Sequence, residues 1–317
     1  MTTSWRRFLL YVGLSIGLLL FLLQVRASYE AVQQHEFLLF QPVYLLAALV
    51  LNVLVYVLQM FAWAMIMRYL GVLLSLHQTL QGYLLSFLPR YIPGSLWGYW
   101  SRSQWLEQSC GIDYATSILG SVLEALALIL TSLIVSGMYL YTRLTGFRRF
   151  VLAGGCVGLL GLTWLIIPRL AARLSKERTQ SYPRKSNPLR IWLAAIVLYI
   201  ALWMTYGGSI LLIGNAVLPT PSGNLLGTTF SSSLSWLLGF IVIVVPTGIG
   251  VRELTLSTLL SAHLSLPLWQ ANLVAVISRL EIILAELGWL MVGLILSANT
   301  WWRNLSQHRS LSRNEEE

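Results

Sequence analysis

Polar and apolar positions in this chain are segregated into long blocks. Apolar runs cover 8–25, 43–67, 115–141, 150–167, 191–213, 225–245 and 271–296, each about 18–27 residues long. At 1.5 Å per residue, ~20 helical residues cross a ~30 Å hydrocarbon core. Lipid offers the backbone no hydrogen-bond partners, so a spanning segment must be a helix or part of a closed barrel. The ten-residue alternation of barrel strands is missing, and helices are predicted. Two regions depart from simple spans. The arms 79–88 and 95–106 would each reach only about 15–18 Å as helices. Between them lies Pro89-Arg90-Tyr91-Ile92-Pro93-Gly94, whose prolines break a helix. A re-entrant hairpin with Pro93 and Gly94 at its tip is predicted. Such backbone at membrane depth needs cover from protein or a water-filled cavity. The run 225–245 is followed by Pro246-Thr247-Gly248-Ile249-Gly250 and a short return arm, 251–263. Its first arm could span by length alone, so topology must decide.

Charge supplies the topology. Only 10% of the 317 residues are charged and 56% are hydrophobic, against about a quarter charged in soluble domains. The net charge of +9 is no nucleic-acid footprint, because the basic residues mark loops. Arg169, Arg173, Lys176, Arg178, Arg184, Lys185 and Arg190 crowd one stretch, which the positive-inside rule places in the cytoplasm, within reach of anionic headgroups. With six full spans and both special regions re-entrant, Arg6 and Arg7 lie inside and loop 26–42 outside. The basic linker 168–190 and the short tail 298–317 then lie inside. If 225–245 crossed, that tail would be outside, so a second hairpin is predicted, with Pro246, Gly248 and Gly250 at its tip. Arg143, Arg148 and Arg149 fall on the outer side and conflict with the rule. The first run also resembles a signal peptide, through Arg6-Arg7 and Val25-Arg26-Ala27. Its spanning length and the polytopic remainder favour a retained helix.

This topology exposes two similar units, 43–141 and 191–296, each reading long helix, hairpin, long helix with a buried acid. They start on opposite sides, the plan of an inverted-topology repeat. The expected fold is therefore an all-α, polytopic membrane helical bundle, one domain over 1–297, in the cell membrane with both termini cytoplasmic.

The chemistry rests on charges inside the apolar blocks, each costing on the order of 2.5–3.5 kcal/mol on insertion scales. These are Arg90, Arg102 and Glu124 in the first unit, and Arg252, Glu253, Arg279, Glu281 and Glu286 in the second. Glu124 shares a helical face with Gly120, Ala127 and Thr131; Glu281 shares one with Ala285 and Gly288. Small neighbours admit a second helix, so both acids should face the bundle interior. One reading is a polar path at the midplane for a charged headgroup or ion. The other is structural, with Arg–Glu pairs pinning hairpins to spans. Expected pairs are Arg102 with Glu124, and Arg252 with Glu281 or Glu286. Gly13-x-x-x-Gly17 and Gly154-x-x-x-Gly158 suit close internal crossings. Cys110, Cys156 and four scattered histidines offer no metal spacing. No phosphate loop, nucleophile elbow or dinucleotide fingerprint occurs, so neither an enzyme nor a cofactor is expected.

Tyr91-Ile92-Pro93-Gly94-Ser95-Leu96-Trp97, then Arg102, Gly111 and Glu124, resembles one signature of the lysylphosphatidylglycerol synthase transmembrane-region family, also called flippase-like. Pro246-Thr247-Gly248-Ile249-Gly250-Val251-Arg252-Glu253, followed by Arg279, resembles a second. Together they span roughly residues 5 to 297. Thr247 stands where a small residue is usual. The resemblance implies a module that moves polar lipids between leaflets: phospholipids, aminoacylated or glycosylated lipids. Larger members add an aminoacyl-transferase domain, and about 20 residues follow the last run here, so a stand-alone module is expected. Membrane lipids are the implied partners, with a lipid-modifying synthetase or glycosyltransferase beside them. The rival expectation is an accessory membrane subunit of a cell-envelope lipid or glycan assembly pathway.

Overall fold

The computed structural model describes residues 3–34, 41–91, 97–151, 154, 155, 158, 161, 187–217, 224–242 and 246–314. Among them, side chains are described except at 3–11, 13, 14, 34, 246 and 296–314. The described fold is all-helical. In chain order it comprises α1 (Thr3–Gln34), α2 (Pro42–Tyr69), α3 (Leu76–Leu84), a 3-10 turn Pro89–Tyr91, α4 (Trp97–Cys110) and α5 (Tyr114–Arg143). A short helical stretch at 147–151 leads towards α6 (Pro188–Val217). Then come α7 (Leu225–Ile241), a second 3-10 turn Pro246–Gly248, α8 (Val251–Leu264) and α9 (Leu268–Asn314). By length and composition, α2, α5, α6 and Ser15–Gln33 of α1 can cross a membrane. α9 is also long enough at 47 residues, with Arg279, Glu281 and Glu286 in its interior. It stays helical to Asn314. Most of the expected span 150–167 and of linker 168–190 lies outside the described residues.

Polar side chains start several helices where the chain leaves its apolar blocks. Ser75 and Gln78 form a reciprocal capping box on α3. Asp113 accepts from the Thr116 amide to cap α5, and Asn224 accepts from the Gly227 amide to cap α7. Each occupies an amide that the helix leaves without a partner.

α2 and α6 form the central packed pair, and they run antiparallel. Tyr69, ending α2, meets Trp192, near the start of α6, with ring centroids 5.8 Å apart. Asn52 meets Ser209 at 3.1 Å, and the Gln41 amide donates to the Ala216 carbonyl at 2.9 Å. Exchanging α2 with α6, α3 with α7, α4 with α8 and α5 with α9 maps the packed helix pairs of these eight elements onto one another. Equivalent helices that run antiparallel make this an inverted repeat.

Both expected hairpins are present. Gly82 lies against Trp105, Ser101 Oγ donates to the Leu85 carbonyl, and Gly98 abuts the Ser86 carbonyl, so α3 and α4 fold back on each other. In the second, Gly239 abuts Arg252 and Phe230 meets His263 at 5.0 Å. α7 has only 17 residues and turns back at Pro246, so the second hairpin is re-entrant as expected. Depth follows from contacts along the central pair. α3 enters beside Trp63 (Tyr83 at 5.8 Å) and reaches Tyr56 through Phe87 at 5.1 Å, halfway along α2. α7 enters beside Gly207 and reaches Trp203 through Trp236 at 5.3 Å, halfway along α6. Each hairpin starts from the C-terminal end of its central helix. Because α2 and α6 are antiparallel, the hairpins enter from opposite sides, and their 3-10 turns touch in the middle.

α1 closes one flank. A Cβ at Gly250 would lie 2.5 Å from the Gly17 carbonyl oxygen and 2.8 Å from Leu20 Cβ, and Gly250 has φ +82°. The second hairpin tip thus packs directly on the backbone of α1, which only glycine permits. Of the three arginines at odds with the positive-inside rule, Arg143 ends α5, and Arg148 and Arg149 lie in the stretch 147–151 that follows. Arg143 lies over Tyr139 and Arg149 over Tyr141, and Arg149 also donates to the Leu144 carbonyl. Arg143 and Arg149 thus complement the C-terminus of α5, a local use independent of sidedness.

Candidate functional site

The membrane-depth charges converge where the hairpins meet. Arg102, in the return arm α4, reaches α5: its Nη2 lies 2.5 Å from Glu124 and 2.8 Å from Ser121 Oγ. Both partners are 1% exposed. Tyr83 O–H donates to the other Glu124 oxygen at 2.8 Å, and the guanidinium stacks over Trp63 at 4.2 Å. The expected Arg102–Glu124 pair is thus present.

Glu253 opens α8. One carboxylate oxygen accepts the Gly250 amide at 2.6 Å, and the other lies 3.5 Å from Arg279 Nε on α9. Arg279 also donates to Thr247 Oγ1 at 2.8 Å. Thr247 has φ 50°, a backbone state uncommon for non-glycine residues and held here by that bond. Across the middle, Arg90 of the first tip lies 3.3 Å from Glu286 of α9. Tyr56 O–H donates to Glu286 at 2.6 Å, and Tyr91 O–H donates to its second oxygen.

The expected pairing of Arg252 with Glu281 or Glu286 is not found. Glu286 is taken by Arg90, and Glu281 accepts from Asn52 Nδ2 at 3.0 Å. Arg252 instead lies over the Tyr206 ring at 5.2 Å. Among the described residues it has no carboxylate within ion-pair distance. Of the tips, Pro93 and Gly94 lie outside the described residues. Pro246 opens the second 3-10 turn, and Gly248 and Gly250 take positive φ, 68° and 82°.

These groups border a cavity of about 160 Å³. Arg90, Arg102, Arg252 and Arg279 all line it, and Glu286 is the carboxylate among the lining residues. Glu124, Glu253 and Glu281 are not in the lining; each lies one partner away, through Arg102, Arg279 and Asn52. The cavity wall therefore presents four arginines against one acid. Its remaining surface is largely aromatic, including Tyr99, Trp203, Tyr206 and Trp236. Sequence reading missed these, and also Asn52, Tyr56 and Gln59. A signal was there: 52, 56 and 59 share one face of α2, and 203 and 206 share one face of α6, at helical spacing.

A bundle of antiparallel repeats, with two broken hairpins meeting at an arginine-lined cavity, defines a polytopic membrane protein of transporter-like plan. The sequence model of the lysylphosphatidylglycerol synthase TM region matches residues 8–298, and the chain belongs to that family. No curated protein and no solved structure gives a match.

Proposed function

We propose that this protein moves a polar lipid between leaflets, holding a phosphate-bearing headgroup in the cavity while the acyl chains stay in the bilayer. The observation that carries this reading is the convergence of four arginines, from both hairpins and α9, on one cavity at mid-depth. A headgroup cannot cross ~30 Å of hydrocarbon without losing its water. Guanidinium groups replace that water with charge-assisted, often bidentate bonds to phosphate oxygens. Glu286 supplies a lining acid for a cationic substituent. Membership of a family named for an aminoacylated phospholipid supports a lipid-handling role. Re-entrant backbone at mid-depth suits a gating role, since two hairpins entering from opposite sides can open the cavity in turn.

The test is leaflet exchange in proteoliposomes containing only this protein, with fluorescent phospholipids and chemical quenching from outside. Exchange should exceed that of protein-free vesicles, and Arg252→Gln should slow it several-fold. If no phospholipid, aminoacylated or glycosylated lipid exchanges faster than in protein-free vesicles, the accessory-subunit role is the better description.

A further inference from the structure

Among the described residues, the interior charges leave two over. Arg102 answers Glu124, Arg279 answers Glu253 and Arg90 answers Glu286. Arg252 and Glu281 remain, and they do not meet. Arg252 faces the cavity, where an incoming phosphate would complete it. Glu281 faces the seam where α2, α6 and α9 cross, and it is 6% exposed.

Its surroundings are polar but uncharged. Glu281 accepts from Asn52 Nδ2 at 3.0 Å, and Asn52 Oδ1 in turn accepts from Ser209 Oγ at 3.1 Å. Asn52 and Ser209 are 1% and 0% exposed. Among the described residues, no charged group on the neighbouring elements forms an ion pair with Glu281. Arg90, Tyr56 and Tyr91 serve Glu286, Arg279 serves Glu253, and Arg252 lies over Tyr206. On α1, Arg26 pairs with Glu30 at the surface; on α3, Tyr83 serves Glu124 and His77 is exposed. An isolated carboxylate at this depth is unstable as an anion, and in practice such a group takes up a proton. Metal capture is a poor alternative. No group of three or more His, Cys, Asp or Glu side chains suited to a metal occurs among the described residues. Asn52 also presents its N–H, not its oxygen, to the acid.

We infer that Glu281 is a proton-binding site, and that its protonation and release couple lipid movement to a transmembrane pH gradient. Asn52 also lines the cavity, so a headgroup entering there meets the same amide that holds the acid. The coupling rests on the lipid-moving role proposed above; the proton site does not.

Two measurements separate these claims. Infrared difference spectra of the purified wild type, taken between alkaline and acidic pH, should show a protonated-carboxyl C=O band that Glu281→Gln removes. A wild-type spectrum with no such band, or one that Glu281→Gln leaves intact, overturns the site whether or not lipids move. The second uses proteoliposomes with the membrane potential clamped by potassium and valinomycin. A one-unit pH gradient should bias the steady leaflet distribution of a transported phospholipid up to about tenfold for one proton per lipid. Glu281→Gln should return the ratio with and without the gradient to one. If the wild type moves lipid with no such bias, or Glu281→Gln keeps it, the coupling is refuted. A band without lipid movement keeps the site and refutes coupling through this chain alone.

Discussion

Replacing Arg102 with Met tests the ion pair on which the first hairpin hangs. Arg102 and Glu124 are each 1% exposed and 2.5 Å apart, so removing the cation strands a buried carboxylate. Tyr83 would still donate to it at 2.8 Å, but one neutral hydrogen bond does not replace a guanidinium. Breaking a buried pair from one side costs about 3–5 kcal/mol, a large part of a typical 5–15 kcal/mol stability. Glu124→Gln is the milder perturbation. It leaves the guanidinium stacked on Trp63 at 4.2 Å, a desolvated cation–π contact worth about 2 kcal/mol, and keeps an acceptor for Tyr83. Its cost should be about 1–3 kcal/mol. The double variant, Arg102→Met with Glu124→Gln, leaves no orphaned charge. It should therefore fall short of the summed single losses by about 2–3 kcal/mol. Reversible unfolding in detergent or bicelles measures all three. Single losses that add to within about 0.5 kcal/mol would show that the two groups act independently and refute the pair.

Arg252 and Arg279 should separate function from fold. Arg252→Gln strands no carboxylate, so its melting temperature should stay near wild type, whereas Arg279→Gln orphans Glu253 and should lose about 3–5 kcal/mol; thermal unfolding of the two side by side decides it. Gly207→Ala should destabilise by about 1–3 kcal/mol, because its Cβ would sit 2.6 Å from the Thr229 Cα. Gly208→Ala, whose nearest neighbour is Leu51 Cδ1 at 3.4 Å, should be close to neutral in the same assay. Single cysteines in the segment 26–42 should react with an impermeant reagent from outside, and those in 168–190 or 298–317 only after the inner face is exposed; the reverse pattern would invert the assigned sidedness.

Much of the fold was legible because membrane chemistry makes its exceptions conspicuous. Proline and glycine between half-length arms announced the first hairpin, the charge topology decided the second, and each ionisable residue in an apolar block stood out because its insertion cost has to be offset. What stayed hidden was partner choice. Glu286 meets Arg90 across 196 positions, and only the packing of α9 over the first hairpin tip sets that distance. The expectation that Arg252 takes an acid from α9 failed for the same reason: Arg90 already occupies Glu286, and Glu281 faces Asn52 on another seam. Tyrosines and tryptophans lining the cavity were passed over because an aromatic ring in an apolar run reads as packing until its polar edge is placed.

The two halves match in pattern more than in residue identity, for a physical reason. In the first unit, the return arm of the hairpin carries the cation and the following long helix the acid: Arg102 on α4, Glu124 on α5. In the second unit the signs are exchanged, with Glu253 on α8 and Arg279 on α9. The same job, fastening a re-entrant arm to the span that follows it, is done with opposite residues. Sequence comparison scores such an exchange as a mismatch, although the Coulomb energy is the same. The exchange also decides what the cavity sees. In both units the arginine lines the cavity and the acid stands behind it, whichever element carries it. A purely structural pin would be indifferent to which partner faced inward. Two pins of opposite polarity that both turn the cation towards the cavity are what an anion site requires, and this orientation favours a binding role for the arginines over mere fastening.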